Sequence, residues 1–309
     1  MREFGAQSEY SKLREVLMHI PGDEICLING ENRNEYLFRE VPDPERFREE
    51  HVKFIEVLKS EGIEVQLVEE ILKNTDYIEI IEMCPNMIFT RDTGTITKIG
   101  AIIGRMSKIA RHAEPLIVKE ALKKLNVPVA LEIKSPGEFE GGDAVWLDER
   151  TLMIGYATRT NEEAVKQIAN LLLKEEIVEK VIAVPLPRGR VHLDGGLMIL
   201  SPTTAVTRIE AISTYPSKII SANEVKLINL AEWLKRKGYE LITVTEREDR
   251  IFGANLVAIG ENKVLSYVWN RRIMRELEKR GFDVLGIEGY ELVKGGGGLH
   301  CMILPIRRD

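Results

Sequence analysis

The chain has 309 residues, is 44% hydrophobic and 30% charged, and carries a net charge of −6. That composition describes a globular protein with a sizeable core, and its acidity argues against nucleic acid or an anionic membrane as the main partner. No apolar run reaches the roughly 18 residues of a membrane helix, the start MREFGAQSEYSKLREV has no apolar signal-peptide stretch, and Cys26, Cys84 and Cys301 lack metal-ligand spacing, so the expectation is free thiols in the cytoplasm.

In chain order, LREVLMHIP reads as a strand. DPERFREEHVKFIEVLKSEG carries apolar residues at Phe47, Val52, Phe54, Ile55 and Leu58 and predicts a helix. IEVQLVEE then reads as a buried strand. FTRDTGTITKIGAIIGRM, FEGGDAVWLDERTLMIGYATRTN and VHLDGGLMILSPTTAVTR each pair an aspartate with two strand-like runs across a polar turn. The aspartates Asp92, Asp143 and Asp194 recur at a spacing of 51. GANLVAIGENKVLSYVWNRR, from Asn255, is a fourth copy, and EGYELVKGGGGLHCMILPI is a partial fifth that places Cys301 where a strand should run.

Between the hairpins, EEAVKQIANLLLKEE, EVKLINLAEWLKRKG and RRIMRELEKRG predict helices, each followed by a buried strand: VIAVPL, YELITVTE and FDVLGIE. The repeating unit is therefore ββαβ, present about five times, with the N-terminal strand completing the last copy and closing a ring. The competing reading is a doubly wound α/β sheet, which accommodates hairpins poorly. A ring predicts that Asp92, Asp143, Asp194, Asn255 and the region of Cys301 converge at one end of a central channel. Carboxylates so gathered repel one another unless a cation lies among them.

Cys301 is the candidate nucleophile, because the run Gly295–Gly298 before it allows unusual backbone and a close approach. The alternative is a buried structural cysteine. His192, two residues before Asp194, is the acid–base candidate; on a strand the two side chains share a face. A strand would aim His300 away from Cys301, and His51 and His112 read as solvated. Glu140 in FEGGD is either a turn-stabilising acid or a ligand anchor. PNMIFTRD adds Asn86, Arg91 and Asp92, with Arg91 leaning toward a structural partner of a buried carboxylate. His192 with Asp194 makes too few ligands for a metal site, and no phosphate loop or other cofactor motif is present.

Taken together, PNMIFTRD, FEGGD, GYATRTNEEAV, HLD, NLVAIG and GGGGLHCM resemble, in order, the guanidine-modifying superfamily of pentein fold, which includes arginine deiminases, dimethylarginine hydrolases and amidinotransferases, and the N-terminal SEYSKLREVLMHIPG is typical of it as well. The resemblance implies a single catalytic domain over 1–309, a five-bladed αβ propeller with its active site in the central channel, and a reaction without a cofactor. It implies Cys301 as nucleophile, His192 as acid and base, Glu140 as support for His192, and Asp92 and Asp194 as holders of a small cationic guanidino substrate. Asn86, Arg91 and Arg111 complete the candidate substrate-binding set. An arginine that some arginine deiminases carry five residues before the cysteine is Gly296 here; Lys294 or Arg111 would have to replace it. Deiminase and dihydrolase chemistry both fit. Dimethylarginine hydrolysis, amidino transfer and a non-catalytic ribosome-binding factor of the same fold are the alternatives, and a homo-oligomer is left open.

Overall fold

In a computed structural model that describes residues 3–309, each repeat forms a three-stranded sheet. The first is Gly94–Thr97, Gly100–Ile103 and Val129–Glu132; the second is Ala144–Asp148, Thr151–Tyr156 and Lys180–Pro185. The third is Leu197–Ser201, Thr204–Thr207 and Glu240–Thr243; the fourth is Val257–Gly260, Lys263–Tyr267 and Asp283–Ile287. The fifth joins Leu304–Arg308 to Leu13–Met18 and Glu64–Leu67, so the N-terminal strand completes the last blade. In every blade the first two strands are antiparallel and the third runs parallel to the second. Parallel neighbours need a crossover, and a helix supplies it each time: Glu114–Lys124, Glu162–Lys174, Leu230–Arg236, Arg271–Glu278 and, in the fifth blade, Pro44–Ser60.

The helix boundaries have local causes. Asp43, Asn161 and Asn229 each accept a backbone N–H of the first helical turn, which satisfies donors that the helix itself leaves open. All five crossover helices are followed by a residue at positive φ: Gly62, Asn126, Glu176, Gly238 and Gly281. Recurrence of that stop is the clearest local mark of the repeat.

Five separate apolar cores hold the ring, one at each junction between neighbouring blades. Val145, Met153, Leu197 and Ile199 join the second blade to the third, and Leu17, Ile306, Ile96 and Ile103 close the fifth onto the first. Hydrogen bonds repeat the circuit toward the channel. Arg91 donates to Ala144 O, Asp194 N to Gly142 O, Asn255 Nδ2 to Asp194 O, His300 N to Asn255 Oδ1, and Thr90 Oγ1 to Met302 O. This is the five-bladed αβ propeller, and the doubly wound alternative is set aside.

IEVQLVEE, expected as one buried strand, is a strand only over Glu64–Leu67, where it is partly exposed, and Val68–Leu72 turns helical; two further readings also depart from the structure. EVKLI, expected to open a helix, is instead the strand Val225–Ile228; it pairs with Ser217–Ile220 and extends the second sheet to five strands. The β-branched residues there decide for strand, and the helix begins only after its Asn229 cap. His51 is not solvated, although His112 is: on the helix Pro44–Ser60, His51 is fully buried, edge-on to Phe54, with neither ring nitrogen hydrogen-bonded. Burial first, and then the nearby His19, push it down to about 3. The unfolded chain therefore takes up a proton that the folded one refuses, and stability falls as pH drops from about 6.5 toward 3. His51→Phe should flatten that acid limb by a few kcal/mol, since each tenfold difference in proton affinity between folded and unfolded chain is worth about 1.4 kcal/mol. Urea unfolding across the pH range reads the effect. An unchanged limb would assign the acid loss to other groups.

Candidate active site

The turns that precede the inner strands, not the strands themselves, carry the candidate residues. Thr90–Thr93, Gly141–Asp143 and His300–Met302 are single 3₁₀ turns at matching ends of their blades, and His192 and Asp194 lie in a comparable irregular turn before Leu197. His192 and Asp194 thus face one cavity, but through a turn rather than the strand alternation expected. The same reason places His300 differently from expectation. In a 3₁₀ turn it stays beside Cys301, and its Nδ1 lies 2.8 Å from the Asp194 carboxylate whose same oxygen is 3.7 Å from Cys301 Sγ.

The cavity opens on both sides of Cys301. An inner chamber of about 180 Å³ is lined by Asn86, Asp92, Arg111, Arg159, His192 and Cys301, among others. An outer chamber of about 530 Å³ shares His192, Cys301, Arg39 and Gly296 with it, and adds Asp194, Asn255 and a rim of charged residues. The acidic groups are deeply placed: Glu140 is 0%, Asp194 1% and Asp92 4% exposed, against 8% for Cys301.

His192 joins the acids together. Its Nε2 is 2.8 Å from Glu140 Oε2, and its Nδ1 is 3.5 Å from Asp92 Oδ1. Burial opposes a charged imidazole, but Asp92 and Glu140 outweigh it and hold His192 protonated, up to about 10. The reciprocal effect, against its own burial, keeps Glu140 ionised and below the usual carboxylate range. Asp194 is likewise held low, despite burial, by His300. Cys301 is the opposite case. Burial, Asp194 and Asp92 push its thiol well above the ordinary value, against smaller help from Gly298 N–H and Asn255. The resting group is a thiol, and a cation placed between the two aspartates would offset both of the charges that raise it.

Arginines inside the site supply part of the positive charge that the gathered carboxylates require. Arg111 Nη1 donates to Asp92 at 2.6 Å and its other nitrogens clasp Glu114, while Arg159 Nη1 donates to Glu140 at 2.9 Å. Asp92, Glu140 and His192 do present ligand atoms within 4.8 Å of one another, a grouping not foreseen from sequence. The adjacent Arg111 and Arg159 guanidinium groups repel a metal ion there, so the triad is built for sharing protons rather than for ligation.

Several expectations need correction. Arg91 is not a substrate contact: it is 3% exposed, absent from the cavity walls, and engaged by Glu9 at 2.9 Å and Ala144 O at 2.6 Å. Arg111 lines the inner chamber but is committed to Asp92 and Glu114. Lys294 is paired with Glu291 and faces a neighbouring groove instead. Asp143, expected in the channel, is fully buried behind it, where it accepts Leu193 N–H and burial pushes it up to about 7. Asn86 does line the inner chamber, with its Oδ1 unpartnered.

The glycine run proves to be chiefly a packing device. A Cβ at Gly297 would lie 2.3 Å from Phe89, and one at Gly298 would lie 2.3 Å from Asn255 Oδ1, while Gly296 sits at φ +88°. Close seating on Phe89 and Asn255 brings Cys301 to the channel. Sequence reasoning missed Arg39, Arg159, Glu114 and Glu9. Arg159 sits unremarked within GYATRTNEEAV and Glu9 within SEYSKLREVLMHIPG, while Arg39 and Glu114 stand in no motif; each acquires meaning only through the partners that folding gives it.

Comparison with known proteins decides the family. The arginine deiminase family model matches residues 73–308, which is most of the chain and includes every candidate residue above apart from Glu9 and Arg39.

The chain belongs to the arginine deiminase family.

With that family it belongs to the pentein superfamily and is an enzyme, a hydrolase of carbon–nitrogen bonds, which removes the non-catalytic reading. The arginine deiminase of Borrelia garinii is 26% identical over an alignment covering 98% of this chain and 97% of that one. The alignment runs to 397 positions, more than this chain has residues, so the relative carries segments without a counterpart here. The Bacillus subtilis protein YkgA, uncharacterised, is 26% identical over 84% of this chain and 80% of its own. Among solved structures, the fold matches dimethylarginine dimethylaminohydrolase of Pseudomonas aeruginosa complexed with citrulline, with a TM-score of 0.74 and 21% identity over 95% of this chain and 99% of that one. It equally matches the N-terminal domain of a cyanobacterial arginine dihydrolase, with a TM-score of 0.74 and 20% identity over 95% and 98%. No described helix of this family member is long and apolar enough to cross a membrane.

Proposed function

We propose that the protein acts as a single catalytic domain that hydrolyses the guanidinium group of free arginine or a close guanidino compound, with Cys301 as the nucleophile. The observation that carries this reading is the convergence of one thiol, one protonated histidine and two aspartates on one cavity, with Glu140 buried behind the histidine. Asp92 and Asp194 flank the position in front of Cys301 and accept N–H bonds from a planar guanidinium, as paired carboxylates do. The arriving cation offsets both aspartates, so the thiol ionises where the electrophile already lies.

Attack of the thiolate on the guanidinium carbon gives a tetrahedral adduct. His192, held protonated by Glu140, donates to the departing nitrogen. Ammonia leaves, and a thiouronium remains bonded to Cys301. His192, now neutral, takes a proton from water, which adds to the same carbon. Collapse passes the added hydroxyl's proton to the departing Cys301 sulfur and releases the ureido product, leaving His192 protonated, and the proton that the thiol shed at the start leaves on ammonia as ammonium. The net change is guanidinium plus water to ureido group plus ammonium, and no redox step or cofactor enters.

Asp194 favours an unmethylated substrate, because a methylated nitrogen has fewer protons to share with it. Product analysis with arginine, agmatine and dimethylarginine side by side tests the proposal. Citrulline with ammonia identifies a deiminase; ornithine without citrulline build-up identifies a dihydrolase; ornithine that needs an added amine identifies an amidino transfer. Failure to turn over any guanidino compound would sink the reading.

A further inference from the structure

The inner strands that start at the catalytic turns run to the opposite face of the ring, and a separate cavity lies there. Its walls are the residues at the far ends of three of those strands, Lys98, Glu149 with Arg150, and Arg308 with Asp309, together with residues between Phe4 and Ser11. It holds about 270 Å³ and shares no residue with the two chambers beside Cys301.

The charges in this cavity do not cancel. Asp309 is held by Arg14 at 2.7 Å, and Arg150 meets Glu179 at 3.4 Å, so each is balanced from outside. Among the described residues, Lys98, Glu149 and Arg308 form no ion pair. Lys98 and Glu149 are exposed and of opposite sign, whereas Arg308 is only 7% exposed, and it is the charge left over. Its Nη1 donates to Ser11 O at 2.6 Å, but its Nε and Nη2 are buried without a hydrogen-bond partner. The Oγ of Ser11, on the same cavity wall, is also buried and unpartnered. Glu9 attracts Arg308, but it is committed to Arg91 and His300. Burial, joined by Arg91, outweighs Glu9 and lowers the guanidinium to about 10.

A buried cation with two free N–H groups is costly unless an anion takes them up. Nε and Nη2 form one edge of a guanidinium, and that edge matches two oxygens of a carboxylate or a phosphate. We propose that this cavity binds a small oxyanion, gripped by the free edge of Arg308 and the hydroxyl of Ser11, with Lys98 at the entrance. The bond from Arg308 to Ser11 already ties the last strand to the N-terminal segment, and Arg308 N donates to Gly5 O at 2.9 Å beside it. An anion seated there fastens the two segments where the fifth blade closes the ring.

Thermal unfolding of the full chain in inorganic phosphate or in acetate, at constant ionic strength and against chloride, tests this. In wild type at least one of the two anions should raise Tm along a saturating curve, by about 2 °C or more. The more effective anion identifies the ligand as phosphate or carboxylate. Arg308→Gln should lose the saturating response. Lys98→Gln is an exposed change that leaves the buried edge intact. It should fold normally and raise the half-saturating concentration about threefold, as for loss of one attracting charge. The response should survive in Arg39→Gln/Arg188→Gln, which strips two cations from the outer chamber of the active site. A gain that rises linearly and is equal in every variant is the general effect of an excluded salt and would overturn the proposal. So would no gain with either anion, or a gain abolished by the active-site pair.

Discussion

Cys301→Ala should abolish hydrolysis of every guanidino compound that the protein turns over, a loss of about 10⁴-fold or more in kcat, with the fold intact. The structure separates the two effects. Cys301 Sγ makes only long contacts, 3.7 Å to Asp194 and 3.7 Å to Asn255. Removing the sulfur leaves no buried charge unpaired, because Asp194 keeps His300. The cost in stability should stay at about 1 kcal/mol, checked by urea unfolding alongside steady-state assays. Wild type incubated with substrate and quenched in acid should carry a covalent mass increase at the peptide containing Cys301. A variant that keeps its activity, or a mass increase at Cys26 or Cys84 instead, would remove Cys301 from the reaction. Cys84 is a weak rival, being buried and pushed up to about 12 chiefly by that burial.

His192→Gln should be nearly as damaging, with kcat lowered by about 10²- to 10⁴-fold, the usual scale for a lost acid–base group. Glu140 would stay ionised beside Arg159 and Arg111, so the fold should survive. The two groups also set a pH profile whose sign follows from their directions. Cys301 is held above its ordinary value, so activity that needs the thiolate rises with pH through the neutral range. His192 must carry a proton for the leaving nitrogen and loses it near 10, so activity falls above that. Wild type should therefore show kcat/KM climbing to an alkaline optimum and bending down near pH 10. In His192→Gln the alkaline descent should vanish. A descent that persists unchanged in the variant would assign it to another group.

Much of this was legible in the sequence because the chain repeats itself. The spacing of 51 between Asp92, Asp143 and Asp194, with the strand pairs that follow each, marks equivalent positions without reference to any partner. Such a repeat buries its apolar faces only against copies of itself, and that fixes the ring. The segments that misled are those whose local pattern is ambiguous. EVKLI has few residues and mixed character, and its pairing with Ser217–Ile220 made it a strand. His51 lies among charged neighbours in sequence, but the face of its helix turns it into the core between the fourth and fifth blades.

At the site, residue types alone named Cys301, His192, Glu140, Asp92 and Asp194, since nucleophile, proton carrier and cation-binding acids are chemically distinct groups. Sequence could not say how their charges are balanced. Arg91 leaned toward a structural partner of a buried carboxylate and Arg111 toward the substrate, yet both proved to be committed to carboxylates, Arg91 with Glu9 outside the cavity and Arg111 with Asp92 and Glu114 along its wall. Asp143 belongs to the repeat but not to the channel, because its carboxylate caps the backbone of the next blade. Arg39 stands some 260 positions before Cys301 in the chain, and only the closing of the fifth blade by the N-terminal strand brings its loop over Gly296. The sequence by itself determined the ring and the reactive groups, because periodicity and side-chain chemistry are local properties. Tertiary structure alone decided which charges are paired and which are left to meet a substrate, because pairing depends on distances that the chain sets only once it closes on itself.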